Sequence, residues 1–351
     1  MKVAPLFRAL RREAWCTPLL IHTGQHYDDD MSTLFFRDLG LPQPYRHLGV
    51  GSGSHAEQTA GVMVACEQVC QEQRPDWVIV VGDVNSTLAG ALSAKKLQIP
   101  VAHLEAGLRS RDMSMPEEIN RLLTDAISDL LWTPSPDADE NLKREGIPPE
   151  RIVRVGNIMI DSYEMLREQI EAEPTAFSLG LEPGNYGVVT LHRPNNVDCQ
   201  KDLSGLVAML IRLAAMVDLV FPVHPRTRAR LESFGFWGVL EKTPGLQILP
   251  PMSYIRFMSL VREARLVITD SGGLQEETTF LNIPCLTLRE NTERPITITQ
   301  GTNRLVNPES IVDCVQRILD GLWVASGMRP QFWDGNTAAR VVKSLKEVVL
   351  G

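Results

Sequence analysis

Leu266-Val267-Ile268-Thr269-Asp270-Ser271-Gly272-Gly273-Leu274-Gln275-Glu276-Glu277 reads as a short apolar run, a turn with two adjacent glycines, and the opening of a helix. Apolar residues at consecutive positions predict a strand buried on both faces, as in a parallel sheet. Paired glycines let backbone N–H groups approach a phosphate closely, and a helix N-terminus adds a favourable dipole. Ser271, Gly272 and Gly273 are therefore candidates for holding a diphosphate, and Glu277, about one turn in, for accepting hydrogen bonds from ribose hydroxyls. An ordinary strand–helix turn capped by Ser271 has the same spelling. No GxxxxGK[ST] string is present, which argues against a P-loop ATPase.

The same alternation extends in both directions. Apolar runs at Pro18–Ile21, Trp77–Val81, Pro100–Leu104, Val188–Leu191, Leu219–Val223 and Ile283–Leu286 flank helical stretches such as Ala56–Gln71 and Leu203–Met216. Strand and helix repeated in this way predict α/β layers with right-handed crossovers. Pro174, Gly180, Pro183 and Gly184 break the pattern between Glu173 and Asn185, after which it restarts. The expectation is two Rossmann-like domains with parallel sheets facing a central cleft: residues 1–175, residues 176–335, and a C-terminal helix within 336–351 that packs back on the first. Ligands of open α/β sheets bind beyond the carboxyl ends of strands, so functional residues are sought there.

Composition narrows the possibilities. The 351 residues carry 35 Lys plus Arg against 43 Asp plus Glu, a net charge of −8, without the basic excess of a nucleic-acid binder. Six cysteines show neither a CxxC nor a paired zinc spacing, which fits reduced core thiols in the cytosol. No apolar run approaches the roughly 20 residues of a membrane span, and the start MKVAPLFRALRREAW lacks the apolar segment of a secretion signal. The expected location is the cytoplasm.

Further candidates lie at other strand ends. Leu288-Arg289-Glu290-Asn291-Thr292-Glu293-Arg294-Pro295 can bring Arg294 to a phosphate and Glu293 to a sugar hydroxyl. Thr190-Leu191-His192-Arg193-Pro194 and Pro222-Val223-His224-Pro225-Arg226 place His192 and His224 just past buried runs, pointing to a polar cleft. In the first half, Asp83 ends WVIVVGD, Glu105 ends PVAHLE, and Glu117 opens the helix PEEINR. Three carboxylates converging at strand ends suit proton transfer to and from carbon. Taken singly, Asp83 and Glu117 also read as helix caps and Glu105 as a partner of Arg109. Gly49–Gly53 lacks the last glycine of a dinucleotide loop, His22 and His26 are separated by a loop-like TGQ, and Cys66 and Cys70 read as core residues, so none is a candidate site.

The strings KVAPL, TGQH, GDVNSTLAG, HLEAGLRS, PEEINR, GNIMID, TLHRPNN, PVHPR, ITDSGGLQEE and RENTERP occur in this order over nearly the whole chain. Together they resemble the non-hydrolysing UDP-N-acetylglucosamine 2-epimerases. The resemblance implies a GT-B-type fold shared with nucleotide-sugar glycosyltransferases, with UDP held by the second domain. It places an acidic trio on Asp83, Glu105 and Glu117, and sugar-side basic groups on Lys2, Arg121 and His192. Nucleotide contacts fall on Ser271, Gly272, Gly273, Glu277 and Arg294, with Phe257 near the uracil. It also implies a homodimer, a UDP-sugar as the partner, and a role in cell-surface polysaccharide biosynthesis.

The chemistry agrees with this assignment. The hydrogen on C2 of the sugar is not next to a carbonyl, so direct deprotonation is too costly. Expelling UDP from C1 while a carboxylate takes that proton gives a bound 2-acetamidoglucal, which is reprotonated on its other face and recaptures UDP. No metal or redox cofactor is called for. Two departures from the family stand out. Its first strand and GTRPE-type loop precede the lysine, whereas here Met1 directly precedes Lys2, so the first sheet is expected to show a gap or an open edge, with Lys2 near a mobile terminus. TGQH continues as YDDD and not as an HREM-type stretch, so allosteric control is not carried over. The alternatives are a modified UDP-sugar such as a diacetamido uronic acid, a UDP-sugar-dependent glycosyltransferase, and an inactive UDP-sugar-binding protein.

Overall fold

A computed structural model describes residues 1–24, 36, 39–323 and 329–351. The Gln25, His26 and YDDD part of the TGQH segment lies outside the described residues. The chain divides into two compact units, Met1–Met165 with Gln331–Gly351, and Leu166–Pro330.

The N-terminal unit begins with helix α1 (Val3–Leu10), whose apolar side packs into a core with Ala102, Leu104, Leu130 and Trp132. Strands β1 (Ile21–His22) and β2 (Arg46–His47) form a two-stranded parallel sheet. Strands β3 (Val78–Val81), β4 (Val101–Leu104), β5 (Leu130–Thr133) and β6 (Ile152–Arg154) form a separate parallel sheet in that order. Among the described residues, β1 and β3 are each paired on one side only. Helix α2 (His55–Gln73) starts on a capping box: the Glu57 N–H donates to Ser54 Oγ, and the Ser54 N–H donates to Glu57 Oε2. Helices α3 (Asn85–Lys96) and α4 (Pro116–Ile127) follow, the latter with Pro116 where a missing N–H costs nothing. The C-terminal helix Thr337–Leu350 belongs to this unit. Asp161 accepts from the Thr337 and Ala338 N–H groups at its start, and Trp132 Nε1 donates to Ser344 Oγ farther along.

The C-terminal unit is built on one six-stranded parallel sheet: β7 (Tyr186–Thr190), β8 (Asp218–Pro222), β9 (Leu246–Leu249), β10 (Leu266–Thr269), β11 (Cys285–Thr287) and β12 (Asn303–Leu305). Their spatial order is β12-β11-β10-β7-β8-β9. All four residues of β10 are buried, as the unbroken apolar run requires. The order reverses between β7 and β10, which puts the carboxyl ends of those two strands at a topological switch point. Helices α5 (Pro225–Ser233), α6 (Tyr254–Arg262) and α7 (Gly272–Leu281) follow β8, β9 and β10. The parallel α/β class is as expected. Five short strands (β2, β5, β6, β9 and β12) are additional to the apolar runs singled out in the sequence.

Candidate functional site

In the N-terminal unit the carboxylates stand at strand and helix ends, each in a different environment. Asp83 follows Gly82 at the end of β3, and Arg121 Nη1 donates to its carboxylate. Arg121 is in turn held by Glu118, which accepts from its Nε at 2.9 Å and its Nη2 at 2.7 Å. Glu118 also accepts from the Ser110 and Arg111 N–H groups at 2.9 and 2.8 Å, and although burial opposes its charge, these donors hold its carboxyl below the usual range. Glu105 directly follows β4 with φ +74°, a left-handed conformation rare for a residue with a side chain. Its carboxylate, 2% exposed, is ion-paired with Lys2. Lys2 is thus anchored in an ion pair, which corrects the expectation of a loose terminal lysine. Gly82, with φ +75°, lies beside the pair in a backbone conformation that favours glycine, although a Cβ there would meet Glu105 Oε2 at 3.4 Å and Lys2 Nζ at 3.6 Å only in ordinary contact.

Glu117 is half-buried on α4, one turn before Arg121, and among the described residues it has no hydrogen-bond or ion-pair partner. The reading of Asp83 and Glu117 as helix caps does not survive, because neither α3 nor α4 has a side-chain cap. Nor does Glu105 pair with Arg109, which instead bonds Asp125 at 2.8 Å and Glu145 at 2.6 Å.

A buried polar chain ties these segments together. His103, wholly buried on β4, contacts Asp125 Oδ1 at 2.6 Å through Nδ1 and the Gly82 carbonyl at 2.8 Å through Nε2. Burial works against its charge, but Asp125 outweighs it and the imidazole pKa is raised. Asp125 also accepts from the Gly107 N–H at 3.0 Å, and its own pKa is lowered despite burial. Gly82 precedes Asp83, Gly107 follows Glu105 by two residues, and Asp125 shares α4 with Glu117. One network therefore sets the backbone around all three carboxylates.

In the C-terminal unit, Ser271 is the N-cap residue of α7 but its hydroxyl makes no capping bond. The simple Ser-cap reading is therefore not the one adopted. Asp270, fully buried at the end of β10, accepts from the His192 and Arg193 N–H groups, from Asn196 Nδ2 at 3.0 Å and from His192 Nδ1 at 2.9 Å. The His192 and His224 rings lie 5.4 Å apart. Glu277 accepts a 2.6 Å bond from the Tyr254 hydroxyl, and Phe257 stands half-buried one turn along α6 from Tyr254. Arg294 is 5% exposed and ion-paired with Glu276 at 2.8 Å and with Glu293, which also takes Arg289 at 2.8 Å. These charges leave Glu293 ionised well below the usual carboxylate range, although burial alone would push it up. A Cβ on Gly272 would come within 2.5 Å of Glu293 Oε1 and 2.8 Å of Arg294 Nη1, so only glycine lets this pair approach the helix start.

The geometry thus links Lys2 to Glu105, Arg121 to Asp83, and His192 to His224, while Glu117 stays apart from direct contact. Reading the sequence did not single out Asp270, Tyr254, Glu118, His103 or Asp125. Asp270 carried a visible signal, since it closes a buried strand just as Asp83 does. A hollow of about 580 Å³ lined by Gly184, Met216, Asp218 and Arg265 lies at the amino ends of β7, β8 and β10, away from every candidate residue. Among the described residues no group of three or more His, Cys, Asp or Glu is arranged to hold a metal, and no helix is long and apolar enough to cross a membrane.

The family model described as UDP-N-acetylglucosamine 2-epimerase matches residues 8–346. A Methanocaldococcus jannaschii protein named UDP-N-acetylglucosamine 2-epimerase is 41% identical over 98% of this chain and 95% of its own. A Pseudomonas aeruginosa protein named UDP-2,3-diacetamido-2,3-dideoxy-D-glucuronate 2-epimerase is 40% identical over 87% of this chain and 84% of its own. The crystal structure of the M. jannaschii epimerase, a complex with UDP-GlcNAc and UDP, superposes with a TM-score of 0.90, covering 99% of this chain and 96% of that one.

Proposed function

The chain belongs to the UDP-N-acetylglucosamine 2-epimerase family, and we propose that it interconverts UDP-N-acetylglucosamine and UDP-N-acetylmannosamine. The C2–H bond breaks toward a carboxylate as the C1–O bond breaks toward UDP, giving a bound 2-acetamidoglucal. Reprotonation of C2 on the opposite face and return of the UDP oxygen to C1 complete the inversion. Asp83, Glu105 and Glu117 move the protons, with Lys2 and Arg121 on the sugar side. The C-terminal unit holds UDP: backbone N–H groups from Ser271 to Gly273, with Arg294, take the diphosphate; Glu277 takes the ribose; Phe257 packs on the uracil. His192 and His224 face the phosphates.

The observation that supports this reading most is the pairing of each strand-end carboxylate with a cation, Asp83 with Arg121 and Glu105 with Lys2. Such pairs give bases beside the positive charge that a leaving diphosphate needs. A glycosyltransferase has no use for two such pairs with a third carboxylate, Glu117. The same reaction on a 2,3-diacetamido uronic acid is the second reading, favoured by the name of the P. aeruginosa relative. We further propose a cytoplasmic homodimer that supplies a sugar nucleotide for cell-surface polysaccharide.

Incubation with UDP-N-acetylglucosamine in deuterated water is the test. The epimerase reading expects deuterium at C2 and appearance of the manno epimer without an acceptor. Exchange only with the diacetamido uronate would move the substrate, and no exchange with either would overturn the reading. Light scattering on the purified chain tests the dimer.

A further inference from the structure

The two histidines at the ends of β7 and β8 are bonded in opposite senses. Ionised Asp270 can only accept hydrogen bonds, and its carboxyl is held below its usual pKa despite burial, by His192, Asn196 and the Arg193 N–H. The 2.9 Å contact from His192 Nδ1 therefore requires the proton on Nδ1, which leaves the Nε2 of this part-exposed ring as the outward atom. His224 is the N-cap of α5, where its Nδ1 accepts from the Arg226 N–H at 3.2 Å. That bond requires a lone pair on Nδ1 and puts the proton on Nε2. Burial and the neighbouring His192 lower the pKa of His224, and the positive end of α5 works in the same direction. The other charged groups at the pair are Arg226, held by Asp198 at 3.0 Å, and Arg193, whose Nε donates to the Asp270 carbonyl.

We infer that Asp270 is a positioning residue that divides labour within this histidine pair, fixing His192 with Nε2 as a proton acceptor while His224 stays a neutral Nε2–H donor. The geometric part stands on its own, and the catalytic consequence rests on the epimerase reading. With a UDP-sugar bound, His224 offers a fixed hydrogen bond to a phosphate oxygen in both directions of the reaction. His192 is the member whose Nε2 lone pair can take a proton from hydronium, leaving water and an imidazolium beside the Asp270 carboxylate, and return that proton to water when the ester re-forms. Two donors then face UDP when it is fully charged, and one when it is part of the sugar ester.

Nitrogen-15 NMR of the imidazoles in the full chain tests the geometric part directly, with assignments from His192→Gln and His224→Gln. At a pH where both rings are neutral, His192 should carry its proton on Nδ1 and His224 on Nε2. A native His192 protonated on Nε2 would overturn the inference whatever the enzyme does. The consequence is read from Asp270→Asn, whose carboxamide oxygen can keep the backbone bonds while its NH2 donates to Nδ1 and reverses the His192 tautomer. Its kcat should drop roughly 10²–10⁴-fold, as for loss of a correctly oriented acid–base group, with KM and the Kd for UDP within about threefold and the His224 signal unmoved. An unchanged kcat, or a loss confined to UDP affinity, would remove Asp270 from this role. If Asp270→Asn does not fold, the native tautomers alone decide. Absence of C2 exchange in the wild type would defeat the epimerase reading and leave the tautomer result to be judged separately.

Discussion

The two units hold their candidate residues by different means. In the C-terminal unit one continuous six-stranded sheet, with β10 and β11 fully buried, delivers Asp270 and the α7 start directly from the backbone. In the N-terminal unit the described strands fall into two sheets, and among the described residues β3, which leads to Asp83, is paired on one side and mostly half-buried. Precision there comes from side chains: Arg121 on Asp83, Lys2 on Glu105, and the buried His103–Asp125–Arg109 chain beneath both loops. A backbone-built site should be sensitive to added atoms, whereas a side-chain-built site should be sensitive to lost charges and to pH.

The largest expected effect is on chemistry. Asp83→Asn and Glu117→Gln should each lower turnover by roughly 10²–10⁴-fold if these groups transfer protons, with UDP affinity by calorimetry nearly unchanged. Near-normal turnover in either variant would remove that residue from the mechanism and weaken the contrast between a proton-moving unit and a nucleotide-holding one.

Next is stability. Asp125→Ala strips the shared partner from His103 and Arg109, both buried, and breaking such a cluster typically costs about 3–5 kcal/mol. Differential scanning calorimetry should show the N-terminal unit melting earlier while the C-terminal transition stays put. Equal loss in both transitions, or none, would show that the polar chain is not what supports this unit.

The steric counterpart is Gly272→Ala. Its Cβ would fall 2.5 Å from a Glu293 oxygen and 2.8 Å from Arg294, both clamped by further ion pairs, so the Glu293–Arg294 pair must shift away from the α7 start. UDP should bind about 10-fold or more weakly, a loss of about 1.4 kcal/mol or more, in a protein whose N-terminal transition is unmoved. Unchanged affinity would place the diphosphate elsewhere.

These contrasts also explain what could be read in the residues. Buried strands such as Leu266–Thr269 announced themselves because a strand covered on both faces needs an unbroken apolar run. Arg46–His47 and Asn303–Leu305 did not, because a two- or three-residue polar edge strand has no periodicity to detect. Asp83, Glu105 and Ser271–Gly273 were visible from their places at strand ends. Asp125 and Glu118 were not, since their importance lies in partners 22 and 8 residues away along the chain, and Asp270, though it stands at a strand end, takes its role from His192, 78 residues away. Pairing over such separations is set by tertiary structure and leaves no local spacing. Among the candidate residues the Lys2–Glu105 pair, 103 residues apart, spans the longest separation.

The smallest expected effect is a pH dependence confined to one unit. The His103 pKa is raised above its ordinary 6.5, so its stabilising contribution is complete below that value and fades as pH rises through the folded-state pKa. The Asp125 pKa is lowered below its ordinary 3.8, so its contribution is complete above that value and fades as pH falls through its folded-state pKa. The N-terminal transition should therefore be most stable between these limits and decline on the alkaline side. In the C-terminal unit His224 should contribute no such alkaline decline, because burial and the neighbouring His192 lower its pKa. His103→Gln keeps a side-chain donor for Asp125 but removes the titrating charge, so its N-terminal transition should start lower and show a flatter profile above pH 6.5. Calorimetric melts of both proteins across that range give the answer. If wild type and His103→Gln lose stability in parallel as pH rises, the buried imidazolium is not what holds this unit together, and its ion pairs outside the His103–Asp125 chain carry the difference between the two halves.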